Sequence, residues 1–136
     1  EKPQTDMLAR SLDGGKTWRI EDPTTRGFLL PHDARDGPGN VDFTHADFAL
    51  RVRLQHKDVG PSFWHYSYDR GRTWQGPFGV PRFDTPGIAA RTDYLVNGKR
   101  DCMLFLTAAK SDRKEGRPLC ARTTDDSEER RIEAQG

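Results

Sequence analysis

An octapeptide that returns at a fixed interval limits what this chain can fold into more than any other feature. Residues 11–18 read Ser-Leu-Asp-Gly-Gly-Lys-Thr-Trp, and residues 67–74 read Ser-Tyr-Asp-Arg-Gly-Arg-Thr-Trp. Five of the eight positions are identical, and Lys16 against Arg72 keeps the charge. The offset is 56 residues, and a further 56 leads to Thr123. There Thr123-Thr124-Asp125-Asp126 keeps a hydroxyl and a carboxylate, but Ser127 stands in for the glycine and Glu129-Arg130 for Thr-Trp. The lead-in Leu119-Cys120-Ala121-Arg122 also echoes Met7-Leu8-Ala9-Arg10. A period of this length implies one supersecondary unit repeated, each copy burying its faces against its neighbours.

The residue types of the octapeptide describe a hairpin turn. Gly15 and Gly71 supply the positive φ that a tight strand connection needs. Asp13 and Asp69 accept hydrogen bonds from amides further along the turn. The hydroxyls of Ser11, Thr17, Ser67 and Thr73 tie down the remaining polar groups. Trp18 and Trp74 are expected to open the following strand and anchor the hairpin to neighbouring packing.

Ser-x-Asp-x-Gly-x-Thr-Trp resembles the Asp-box, or BNR repeat, of sialidase-like β-propellers. With two complete copies and a degenerate third from 123, the resemblance spans roughly residues 5–125. It implies an all-β chain of consecutive four-stranded antiparallel blades from a six-bladed propeller, here an incomplete ring. Residues 1–125 are read as the partial propeller and 126–136 as a polar tail, frayed or shortly helical. In the family the boxes are structural turns between the third and fourth strands of a blade.

Strand patterning then fills in the intervals. Thr73–Gly76 reads as a fourth strand. Ile88–Val96, Asp101–Ala109 and Arg117–Thr123 read as the first three strands of the next blade, with Asn97-Gly98 as a hairpin turn. Phe48–Leu54 and Ser62–Ser67 read as second and third strands of the blade before, with Val41–Thr44 a poor first strand. Alternating strand direction puts the boxes on one end. The long charged loops, roughly 21–40, 55–61, 77–87 and 110–116, collect at the other, where rigid scaffolds usually carry function. The same map sets Cys120 opposite about Leu106. Cys102 then lies about four residues away at roughly 3.3 Å each, beyond the roughly 7 Å reach of a disulfide. Free thiols are expected.

The resemblance implies a chemistry for that end: retaining hydrolysis of a terminal sialic acid or a related glycan, with Tyr as nucleophile. Three arginines would hold the sugar carboxylate through planar bidentate contacts. The Phe/Tyr-Arg-Ile-Pro motif that carries the first of them is absent from this sequence. The candidate catalytic residues are Glu115, Asp93 and Asp33, and the candidate substrate-binding residues are Arg91, Arg117, Arg35 and His32. Glu115 and Arg117 lie beside the third strand in a stretch that also reads as a solvated charged loop. Arg91 and Asp93 read equally as an ordinary strand ion pair. His32-Asp33-Ala34-Arg35-Asp36 is a dense titratable cluster in the longest loop. Tyr94 is a candidate nucleophile, although it, Tyr66 and Tyr68 also suit strand packing. His45-Ala46-Asp47 and His65 lack metal-ligand spacing, and no cofactor or metal is expected.

Composition sharpens the picture. Lys and Arg number 22 against 21 acidic residues, a near-balance that argues against a nucleic-acid surface. No apolar run approaches the roughly 20 residues of a membrane helix, and the first residues do not form a signal peptide. An extracytoplasmic location is implied by the resemblance alone. Only 33% of residues are apolar, and 136 residues hold about 2.4 periods of 56. The expectation is therefore a propeller segment, inactive alone, whose partners are the missing blades and a glycan substrate. A non-catalytic Asp-box binding or assembly module is the alternative, since fold does not fix function.

Overall fold

The computed structural model describes residues 7–21, 34–55, 60–112, 114, 116–123 and 132–135. Among them the chain is all-β without a helix, and its strands form three antiparallel sheets. The first is a two-stranded hairpin of β1 (Leu8–Arg10) and β2 (Arg19–Glu21). The second is β3 (Ala49–Leu54), β4 (Ser62–Ser67) and β5 (Gln75–Val80) in that order. The third is β6 (Ile88–Gly98), β7 (Asp101–Ala109), β8 (Gly116–Thr123) and β9 (Ile132–Gln135), also in chain order. Each octapeptide joins two adjacent antiparallel strands, β1 to β2 and β4 to β5.

The core lies between the second and third sheets. Leu50, Val52, Trp64, Phe78 and Val80 line one side, and Ile88, Ala90, Leu104, Leu106, Ala108 and Ala121 the other. Period-two alternation explains the third sheet, because Leu104 and Leu106 are buried while Phe105 between them is 43% exposed. Ser62 stitches the sheets together. Its hydroxyl donates to the Ile88 carbonyl and accepts from the Ala90 amide at 3.2 Å.

Five expectations are corrected. Ile132–Gln135, within the stretch read as a polar tail, is the fourth strand, paired with β8 from Cys120↔Gln135 to Thr123↔Ile132. Val41–Thr44 is not a strand. The Asp42 carboxylate accepts from the Thr44 amide at 3.0 Å and hydroxyl at 2.8 Å, curling the chain into a turn. Val41 and Phe43 are nonetheless buried, held by the Phe43 amide on the Lys99 carbonyl at 3.0 Å. The β6–β7 turn falls at Lys99-Arg100, because an irregularity between Val96 and Gly98 carries Gly98 into the ladder opposite Asp101. Residues 77–80 extend β5 instead of opening a loop, with Pro77 tolerated on an outer strand. Cys120 lies opposite Phe105, one residue from the expected position. That single step puts Cys102 and Cys120 on opposite faces of the sheet, and both thiols are free.

Candidate functional site

The two boxes fold by one hydrogen-bonding scheme. In the first, the Ser11 hydroxyl donates to Asp13 at 2.9 Å and accepts the Gly15 amide at 2.7 Å. Asp13 accepts the Thr17 amide at 2.9 Å and the Thr17 hydroxyl at 2.6 Å. In the second, Ser67 donates to Asp69 at 2.7 Å and accepts the Gly71 amide at 2.8 Å. Asp69 accepts the Thr73 amide at 2.8 Å and the Thr73 hydroxyl at 2.6 Å. These donors stabilise the charged carboxylates. The Thr17 hydroxyl, then its amide and Ser11, lower Asp13 to about 2. Burial pushes Asp69 up, but the Thr73, Ser67 and Arg72 donors outweigh it and hold the group well below the usual carboxylate range. The Ser, Asp and Thr side chains of each motif bond within their own turn, as structural clamps do.

The tryptophans fold back over their own turns. Trp18 donates its indole N–H to the Gly15 carbonyl at 3.0 Å and stays 64% exposed. Trp74 covers Gly71, where an added Cβ would stand 2.9 Å from Trp74 Cζ2. In the degenerate third copy, Thr123 takes another role. Its hydroxyl donates to the Arg100 carbonyl and accepts the Cys102 amide, both at 2.9 Å, and so pins the β6–β7 turn. The rest of that copy lies outside the described residues.

At the end opposite the boxes, the sequence candidates separate. Arg91 and Asp93 sit in a bulge of β6, where the three residues between Ala90 and Tyr94 face the one between Leu106 and Leu104. Both are exposed, and bulges of this kind re-aim side chains. Arg117, also exposed, pairs with Ala108, which in turn pairs with Ile88. Arg91 and Arg117 thus belong to the same end of one sheet. Arg35 is elsewhere: it bridges the free edge of β5 through its amide on Pro77 O at 3.0 Å, and its guanidinium lies 5.3 Å from the Phe78 ring centre. Glu115, Asp33 and His32 lie outside the described residues. Tyr94 packs edge-on against Phe48 at 6.1 Å, in a wall of rings with Tyr66 and Tyr68.

Three features go beyond the sequence reading, in which Arg10 is only part of a lead-in echo and His65 only a residue without metal-ligand spacing. Arg10 bonds Glu21 and reaches across to the carbonyls of Arg70 and Gly71, linking the first hairpin to the second box. Its echo at Arg122 was the available signal, and Arg122 instead forms a forked pair with Asp101 at 2.7 and 2.5 Å. His65 is buried with both ring nitrogens unpartnered, and burial, then Arg51 and Arg53, lower its pKa to about 4. Nothing in its sequence context marks it. An open cleft of about 460 Å³ between the first hairpin and the second box is the third feature.

Among the described residues, no three His, Cys, Asp or Glu gather as a metal site, and no helix is long and apolar enough to cross a membrane. No protein-family model, curated protein or solved structure matches the chain.

Proposed function

We propose that this chain is a segment of an Asp-box β-propeller from a sialidase-like glycoside hydrolase. The observation that carries the reading is the repeated clamp. Two boxes with the same hydrogen bonds close successive antiparallel sheets, and the third copy falls at the β8–β9 connection of a four-stranded sheet. On this reading the three sheets are parts of successive blades, and the missing blades cover the outer face of the third sheet. That face carries exposed Leu95 and Phe105 and is the repeat counterpart of the face of the second sheet that packs in the core. Aligning Ser67 with Thr123 sets Trp64 against Cys120 and Tyr66 against Arg122, and through the ladders Val52 against Phe105.

The catalytic end is then the one holding the β6 bulge. Arg91 and Arg117 would take the carboxylate of a terminal sialic acid or related acidic sugar, with Asp93 and Glu115 as acid/base candidates. Asp33 and His32 are kept as loop candidates. Arg35, stacked on Phe78, is the weakest of the set.

The test is an NMR titration with the unsaturated transition-state analogue of sialic acid. The expected result is shifts confined to amides of 88–93 and 116–118, abolished by Arg91→Ala. The chain alone should not hydrolyse a fluorogenic sialoside. Absence of shifts at that end would leave the alternative, a non-catalytic Asp-box binding module.

A further inference from the structure

The two inter-sheet junctions at the box end are built from equivalent positions and finished differently. Aligning the boxes sets Arg10 against Tyr66, Leu12 against Tyr68 and Arg19 against Gln75. At the second junction the tyrosines fill the space. Tyr68 lies 4.6 Å from His45 and 6.3 Å from Phe48, and Tyr66 stacks on Phe78 at 6.0 Å. At the first junction that filling is missing. Leu12 is 73% exposed, and Arg10 is drawn aside by Glu21 and the turn carbonyls. What remains is the cleft of about 460 Å³, within the roughly 300–1,000 Å³ of small-ligand sites.

Its walls are chemically specific. Trp18 offers an exposed indole face that is already immobilised by the Gly15 carbonyl, so a ligand stacking on it loses little ordering entropy. Arg10 and Glu21 neutralise each other across the floor. Arg19 and Arg72 add two exposed guanidiniums, and neither side chain has an acidic partner among the described residues. An aromatic platform beside two planar cations suits a ring with an apolar face and a carboxylate.

We propose that this cleft is a binding site for a carboxylated saccharide, separate from the candidate catalytic end. It does not rest on the catalytic reading, because it shares no residue with it and lies at the box end of the sheets. The test is a titration of the chain with sialyllactose and with trigalacturonate, with lactose as the neutral control, followed by tryptophan emission and calorimetry. Trp64 is only 6% exposed and Trp74 is half-buried over Gly71, so the Trp18→Ala variant is what assigns a saturable blue shift to Trp18.

The expected result is binding of at least one acidic probe and none of lactose. Arg72→Gln should weaken it at least tenfold, and Trp18→Ala should remove the emission change. Arg72 contributes only its backbone amide to the box, so its replacement leaves the turn intact. Failure of both acidic probes, or affinity within twofold of the parent in Arg72→Gln, overturns the proposal. Equal binding of tetraglutamate overturns the saccharide assignment. Amide shifts at 88–93 with Trp18 unchanged would support the catalytic end and refute this cleft.

Discussion

Replacing Gly71 by alanine tests whether the box is a clamp whose tryptophan must lie on its own glycine. Gly71 holds φ +73°, a region that costs an L-residue about 1 kcal/mol more than glycine. The new Cβ would also stand 2.9 Å from Trp74 Cζ2, well inside the ~3.5 Å of a comfortable carbon contact. Tilting a packed indole to relieve it costs about 1–2 kcal/mol. The sum is about 2–3 kcal/mol. Gly15→Ala is the internal control, with φ +89° but an added Cβ 3.8 Å from Trp18, so only the backbone cost of about 1 kcal/mol applies. Urea unfolding of both variants, at a slope of about 1.5 kcal/mol/M, should show midpoints lower by about 1.3–2 M for Gly71→Ala and about 0.7 M for Gly15→Ala. Equal losses, or a Gly71→Ala midpoint within about 0.2 M of the parent, would refute the reasoning.

Three further outcomes are expected. Asp13 and Asp69 titrate below their unfolded values, so their contribution is full above about pH 4 and is lost as pH falls toward 2 and below. Urea midpoints measured down that range should drop, and the double variant Asp13→Asn, Asp69→Asn should flatten the drop. His65 is held neutral down to about 4, whereas its unfolded form takes a proton near 6.5. Stability should therefore fall by about 2–3 kcal/mol between pH 6.5 and 4, a limb absent from His65→Phe. Burial, then Asp101, pushes the Cys102 thiol up to about 12, so intact-mass analysis after brief native alkylation should show Cys120 modified first and Cys102 only after denaturation.

What could be read from sequence divides along a physical line. Ser62–Ser67 and Asp101–Ala109 were legible as strands to the residue, the first as an aromatic run between Pro61 and the second box, the second by its apolar alternation. The boxes were legible because the Ser, Asp and Thr side chains that shape them bond within eight residues. Features set by neighbouring sheets were not. The Lys99-Arg100 turn depends on an irregularity that Asn97-Gly98 does not announce, and it lengthens β6 by two residues while moving the turn. The fourth strand Ile132–Gln135 carries four residues of mixed character, and its edge pairing with β8 overrides that composition. The catalytic candidates were chosen by the end of the sheet to which the strand map assigns them, which groups Arg91 with Arg117 but cannot foresee Arg35 on Phe78. Arg10 reads as one more surface cation until its contact with the second box, 60 residues on, is seen.

The second and third sheets stack face to face with a fixed side of each inward. Methyl NOE spectroscopy measures that directly. Contacts are predicted between the methyls of Leu50 and Val52 and those of Ile88, Leu104 and Leu106, which share the core. Leu95 and Phe105, on the opposite face, should show none to Leu50 or Val52. Contacts from Phe105 to Leu50 would turn the third sheet over and contradict the repeat register on which the blade reading depends.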